Sequence, residues 1–283
     1  MPADLHLHST ASDGTLSPEE IVAEAAALGL TTIAITDHDT MDGINSALIA
    51  GKKHNVKVIP GIEINTEWKG LEVHILGYYP DMFHPQFADM LLTLQAARRE
   101  RVIKTIEKLQ RNGIDIDISD ILAEAGGRCL GRPHIARALI KKGYASTQRE
   151  AFELYIGPEA PAYVPRFKLS PEQAISIIIQ AGGVPVLAHP GVLARDDIIY
   201  YLLKHGLMGV EVFHPDHNAR QIQIYLKIAR KLDLLITGGS DCHGPRGKKR
   251  GLMGKVRLST RYVEELNSAI KNNPTIMLPE CKL

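Results

Sequence analysis

The spacing of histidines and carboxylates is what first suggests chemistry in this sequence. Asp4-Leu5-His6-Leu7-His8 alternates polar and apolar residues. As a short strand it would turn His6 and His8 to one face and Leu5 and Leu7 to the other. Two imidazoles on one face, with Asp4 and Asp13 close by, suit a divalent metal that accepts nitrogen and oxygen ligands. One His-x-His alone reads equally well as a pair of surface histidines. Here the arrangement recurs: strand-like runs end in or just before Asp37/His38, Glu63, His189, His214 and Asp241/His243, and a further run carries His74. Histidines scattered over a solvated surface would not choose strand ends so regularly. The expectation is a multinuclear metal centre.

The elements that must position these residues alternate along the chain. Ser17-Pro18-Glu19-Glu20 supplies an N-cap, a proline at the first helical position and a capping-box glutamate, and Ser170-Pro171-Glu172-Gln173 repeats the pattern. Apolar strand-like runs stand at about 32–35, 56–63, 73–78, 184–190, 209–214 and 234–243. Between 85 and 165 the rhythm changes to helical spacing without strand signals. The expected layout is an α/β body from 1–84 and 166–283, with 85–165 as a helical insertion that caps it. In a parallel α/β barrel the C-terminal strand ends meet at one rim, so the polar residues would converge there.

With 283 residues, 45% hydrophobic, the chain can bury a large core. A formal net charge of +1 argues against stable duplex nucleic-acid binding by charge alone and leaves a local basic cleft open. No membrane span or signal peptide is expected, and Cys129, Cys242 and Cys281 form no disulfide framework, which fits a reducing cytoplasm.

DLHLHSTASDG, TDHDT, PGIEI, VHILGY, LAHPG and GSDCHG together resemble the PHP family, named for polymerase and histidinol phosphatase. The resemblance covers nearly the whole chain. It implies a distorted seven-stranded (β/α) barrel with up to three metals at the C-terminal rim. Carried over, it places a first metal on His6, His8, Glu63 and Asp241, a second on Glu63, His74 and His189, and a third on Asp13, His38 and His243. Aspartate at position 13, where many members have histidine, leans toward manganese, magnesium or iron over zinc. The insertion segment GRPHIARAL (131–139) resembles the subgroup of nucleoside 3′,5′-bisphosphate phosphatases and the 5′→3′ exoribonuclease ribonuclease AM. A small phosphorylated substrate, a nucleotide or short oligoribonucleotide, is therefore expected.

The chemistry is arguable from the residues. Phosphoester hydrolysis needs a nucleophile at neutral pH and neutralised phosphoryl charge, which paired divalent metals supply. Asp13, His38, Glu63 and His214 are the candidate catalytic residues, with Asp13, Asp37 or Asp39, Glu63 and Asp241 offsetting the metals' charge. Arg132, His134, His217 and Ser240 are candidates for holding substrate. Each has a plainer alternative: Arg132 and His134 sit at a helix start beside Pro133, and His214 and His217 could cap or support ligands. Cys242, between two expected ligands, fits buried packing better. Arg98, Arg99, Arg101 and the 245–251 basic run are either solvated or gather phosphates. A histidinol-phosphate phosphatase, a C–N amidohydrolase and a ligand-poor structural PHP module are the competing readings.

Overall fold

A computed structural model describes residues 2–125, 129–245 and 252–271. Strand β1 (Pro2–Leu7) leads into helix α1 (Pro18–Ala27), β2 (Thr32–Ile35), α2 (Ile44–His54), and the long strands β3 (Lys57–Trp68) and β4 (Leu71–Tyr78). Helix α3 (Pro85–Arg111) opens a helical stretch of α4 (Ile118–Leu122), α5 (Arg132–Lys141), α6 (Gln148–Ala151) and a π-helical turn at Phe152–Ile156. The α/β alternation then resumes with α7 (Pro171–Gln180), β5 (Val184–Leu187), α8 (Pro190–Leu193), α9 (Asp197–Leu203), β6 (Gly209–Phe213), α10 (Ala219–Lys231) and β7 (Leu235–Gly238). The two-residue β8 (Leu258–Ser259) and α11 (Thr260–Lys271) end the described chain.

The strands form one sheet in the order β7-β6-β5-β4-β3-β2-β1-β8. A parallel bridge from Leu7 to Cys242, with the His8 N–H donating to the Cys242 carbonyl at 3.0 Å, brings the end of β7 back to β1 and nearly closes a barrel. The expected α/β barrel is therefore present, with one correction. β4 runs antiparallel to both β3 and β5, so His74 reaches the rim from the first half of its strand. Glu63 likewise lies within β3, which continues past it to Trp68.

A second correction concerns β1. Asp4 pairs with Ile33 and Leu7 with Ile35, so two residues, Leu5 and His6, stand opposite the single Ala34. This bulge places both on the inner side. Leu7 packs outward among the helices as alternation predicts, whereas Leu5 joins Ala34, Leu76, Tyr78 and Val186 inside. Helix α11 closes that inner cluster with Val263, Leu266 and Ile270, at the end away from the histidines.

The predicted helix starts form as read. The Ser17 hydroxyl accepts from the Glu20 N–H and the Ser17 N–H donates to the Glu20 carboxylate, and Ser170 and Gln173 do the same for α7. Such caps contribute ~1 kcal/mol each. Helix α9 was not legible as a separate element; its short Ile198-Ile199-Leu202 stripe is buried against the barrel.

Two hydrophobic cores meet along α3. Phe87, Leu91 and Leu94 from its first turns belong to the large core around the barrel. Val102, Ile106 and Leu109 from its later turns belong to a separate core with Ile121, Ile135, Leu139 and Ile156. Among the described residues no helix is long and apolar enough to cross a membrane. Of the basic run at 245–251, positions 246–251 lie outside the described residues, as does Cys281.

Candidate metal centre and substrate cavity

Glu63 stands at the centre of the rim. Its Oε1 lies 2.7 Å from His74 Nδ1 and 3.1 Å from His189 Nε2. Its Oε2 lies 3.3 Å from His6 Nε2, 3.2 Å from His8 Nε2 and 3.0 Å from His38 Nδ1. A second carboxylate, Asp241, approaches His8 Nε2 at 3.1 Å and His6 Nε2 at 3.6 Å through Oδ1, and His214 Nε2 at 3.5 Å through Oδ2. Asp13 faces His243 Nε2 at 3.3 Å.

These atoms form three groups in which every candidate donor lies within 4.8 Å of the others: His6, His8, Glu63 and Asp241; His8, Asp13, His38 and His243; and His38, Glu63 and His74. The first coincides with a set expected from sequence. The second adds His8 to Asp13, His38 and His243, and the third brings His38 to Glu63 and His74, with His189 against the same Glu63 oxygen.

The donor chemistry fits divalent cations. His6 Nε2, both ring nitrogens of His8, Glu63 Oε2 and His189 Nδ1 are buried without a hydrogen-bond partner among the described residues. Buried polar atoms are nearly always partnered, so several orphans in one place mark a cation site. Charge points the same way. Burial alone would neutralise Glu63, Asp241 and Asp13, yet the surrounding imidazoles outweigh it and hold all three well below the usual carboxylate range. Burial opposes charge on His8 as well, but Asp241 and Glu63 push it up to about 10, while burial pulls His38 down to about 3.

Local backbone serves this convergence. Asp39, His189 and Asp241 all have positive φ, at 55°, 28° and 51°. Such conformations cost of order 1–3 kcal/mol each and cluster where function requires them. At Gly239 a Cβ would come within 2.3 Å of the His6 Cβ, so only glycine lets the end of β7 pass that close to β1.

The rim forms one wall of a cavity of about 740 Å³ whose opposite wall comes largely from the helical stretch. Asp13, His38, Glu63, His74, His189, Asp241 and His243 line it on one side, and Arg98, Arg101, Arg132, Arg137, Arg149 and Arg166 on the other. Arg132 stacks over Phe152, 5.2 Å from the ring centre, and reaches Glu72 at 3.8 Å. Arg166 is paired with the same Glu72, whose other contact is His74 Nε2 at 2.8 Å. Arg166 Nη1 is buried with no hydrogen-bond partner among the described residues. Burial, followed by the guanidiniums of Arg132 and Arg166, pulls Arg101 down to about 9. Three guanidiniums close together, two of them sharing one carboxylate, make a seat for an anion.

Several sequence candidates lie elsewhere. His134 is buried and its Nδ1 accepts from the Gly131 N–H, the helix-start role, outside the cavity lining. The His217 ring bridges the Val212 carbonyl and the Gly191 N–H. His214 supports Asp241 and accepts from the Asp216 N–H, also off the lining. The Ser240 N–H donates to Asp4 at 2.8 Å in the interior. Asp37 accepts from the Ser9 N–H and the Ser9 and Ser12 hydroxyls, and Asp39 pairs with Arg98 and accepts from Asn65, so neither carboxylate touches an imidazole of the cluster directly. Cys242 is buried against the core, as its strand position suggested. Sequence reasoning missed Glu72, Arg166 and Glu211, the last a lone carboxylate in the apolar run of β6.

The PHP domain profile matches residues 4–154 of the chain. The chain belongs to the PHP domain family. Among its relatives, the 5′-3′ exoribonuclease of Haemophilus influenzae is 37% identical over 250 residues, covering 86% of this chain and 90% of that protein. The 3′,5′-nucleoside bisphosphate phosphatase of Chromobacterium violaceum is 32% identical over 251 residues, covering 86% and 87%. A phosphoribosyl 1,2-cyclic phosphate 1,2-diphosphodiesterase from Eggerthella lenta is 32% identical over 263 residues, covering 88% and 96%. A crystal structure from Bifidobacterium adolescentis, described as a candidate metal-dependent phosphoesterase, superposes with a TM-score of 0.87 at 34% identity over 95% of this chain and 97% of that one. This PHP protein is a metal-dependent hydrolase of phosphoesters, with its fold and its cluster of metal-competent side chains in the family's pattern.

Proposed function

We propose that the chain removes the 3′-phosphate of nucleoside 3′,5′-bisphosphates and, by the same site, trims short RNA from the 5′ end. The observation that carries this reading is the sharing of one cavity by the histidine–carboxylate cluster and the Arg101–Arg132–Arg166 seat. A substrate with two phosphates satisfies both walls at once. Phe167 and Val192, half-exposed or more at the same cavity, leave apolar surface for a base.

His6, His8, Glu63 and Asp241 would hold one cation, Glu63, His74 and His189 a second, and Asp13, His38 and His243 a third, with Glu63 as the shared carboxylate. Manganese suits this mixed set best, with iron, zinc or magnesium as alternatives. Bound divalent ions would polarise the phosphoryl oxygens and lower the pKa of an attacking water. The chain's own part is to fix the substrate. Arg132 and Arg166 grip the distal phosphate through forked N–H donors, Arg132 presented by residues 85–165 acting as the cap and Arg166 by the chain just past it. The cytoplasm is the proposed location, in keeping with the buried, unpaired thiols of Cys129 and Cys242.

A substrate panel with Mn²⁺ tests the reading directly. Adenosine 3′,5′-bisphosphate should be turned over with a far higher kcat/KM than histidinol phosphate, which leaves the arginine seat empty. An amide substrate should be inert. Preference for histidinol phosphate, for a cyclic phosphodiester, or for the amide would overturn it.

A further inference from the structure

Glu211 lies in the middle of β6 and is fully buried. Val210 and Val212 on either side pack outward into the core beneath the helices, so Glu211 points into the barrel. A carboxylate so placed is costly unless its partners are good, and removing it later strands them. Its partners are two. Oε1 lies 3.0 Å from His6 Nδ1, and Oε2 accepts the backbone N–H of His189 at 2.9 Å.

Each contact has a chemical consequence. An ionised carboxylate only accepts, so it requires the proton of a neutral His6 imidazole to sit on Nδ1. The lone pair is then on Nε2, the buried and unpartnered atom aimed at Glu63 and Asp241. His189 sits at φ 28°, a backbone geometry that a non-glycine residue holds only when something anchors it. The anchor is the N–H bond to Glu211, and the resulting pose sets His189 Nε2 3.1 Å from Glu63 Oε1. His6 and His189 flank Glu63 on its two different oxygens.

We propose that Glu211 is a positioning residue for the metal centre, selecting the Nδ1–H tautomer of His6 and fixing the backbone of His189, so that one buried carboxylate prepares a nitrogen donor on each side of Glu63. The inference rests on the metal assignment proposed above. It gives Glu211 no contact with cation or substrate. Among the described residues, Glu211 is the carboxylate that contacts both the His6 ring at Nδ1 and the His189 backbone N–H.

Glu211→Gln keeps the volume but offers one carbonyl in place of two acceptors. Titration of the metal-free protein with Mn²⁺ against a chromophoric chelator should show affinity weakened about 10–100-fold. At saturating metal, kcat should fall while the KM for adenosine 3′,5′-bisphosphate stays unchanged. Glu211→Asp, which keeps the charge, should recover part of the affinity. A lower melting temperature for metal-free Glu211→Gln with unchanged metal affinity would make Glu211 a fold residue only and overturn the proposal. The wild-type protein supplies a check that does not depend on any variant. Imidazole ¹⁵N spectra of the Zn²⁺-loaded form should show His6 protonated at Nδ1, and the reverse tautomer would overturn the assignment. A wild-type protein that binds no divalent ion in the titration would instead fail the metal assignment, and the role of Glu211 would fall with it.

Discussion

The two walls of the cavity are made of opposite materials and held in opposite ways. On the barrel side, imidazoles and carboxylates interlock around Glu63, and their backbones come from strands of a nearly closed sheet and the loops that follow them. On the other side, guanidiniums project from helices and from the extended exit at Arg166, with Arg132 and Arg166 sharing the carboxylate Glu72. The first wall has donors aimed at one another's centre, as cations require. The second lines the cavity with more guanidiniums than its carboxylates Asp39 and Glu72 balance, as an anionic substrate requires. A change on the barrel side should therefore remove the reaction itself. A change on the arginine side should alter which molecules undergo it.

Metal removal should have the largest effect. Exhaustive chelation should bring phosphoester turnover to background, and Mn²⁺ should restore it; full activity in a preparation verified as metal-free would erase the distinction between the walls. Next comes Glu63→Gln, because a neutral amide serves the five surrounding imidazoles, and the cations proposed for them, poorly. A loss of about 10³-fold in kcat, ~4 kcal/mol of barrier, is expected together with a lower metal content by elemental analysis. Unchanged stoichiometry and rate would remove Glu63 from the centre.

The arginine wall should respond more gently and more selectively. Arg132→Ala or Arg166→Ala should cost ~1.5–3 kcal/mol in kcat/KM for a nucleoside 3′,5′-bisphosphate, roughly 10- to 150-fold, with metal content intact. A small phosphoester with no second phosphate should lose far less. Equal losses on both substrates would mean these arginines serve the chemistry or the fold. Smallest is Phe167→Ala, expected to lower kcat/KM for the nucleotide by ~1 kcal/mol, about fivefold, through lost base stacking. Comparing it on ribose 3,5-bisphosphate, which has no base, checks the cause: a matching loss there would rule stacking out.

What the sequence made legible follows from how local each signal is. The pairs Ser17/Glu20 and Ser170/Gln173 act over three residues, and both form as read. Histidines at strand ends were readable because a strand's period is visible in a short window. The reversal of β4 was not, because direction depends on a hairpin at Lys69-Gly70 that joins two apolar strands whatever their role in the barrel. The bulge at Leu5 and His6 is set by pairing with Ala34, far along the chain. Arg166 and Glu72 meet across 94 positions, and Glu211 and His6 across 205, distances that no spacing rule can reach. The partners of Asp37 were out of reach for a related reason: Ser9 and Ser12, which donate to its oxygens, come from another loop.

Helix α3 has a mechanical meaning beyond its arginines. Its 27 residues make a rod about 40 Å long, seated at one end among the barrel's apolar side chains and at the other in the helical stretch's own core. A bend between the two cores would have to break the helix's own backbone hydrogen bonds. The spacing of the two walls is thus carried by one continuous helix that belongs to both cores, so a change at either of its ends is felt across the cavity.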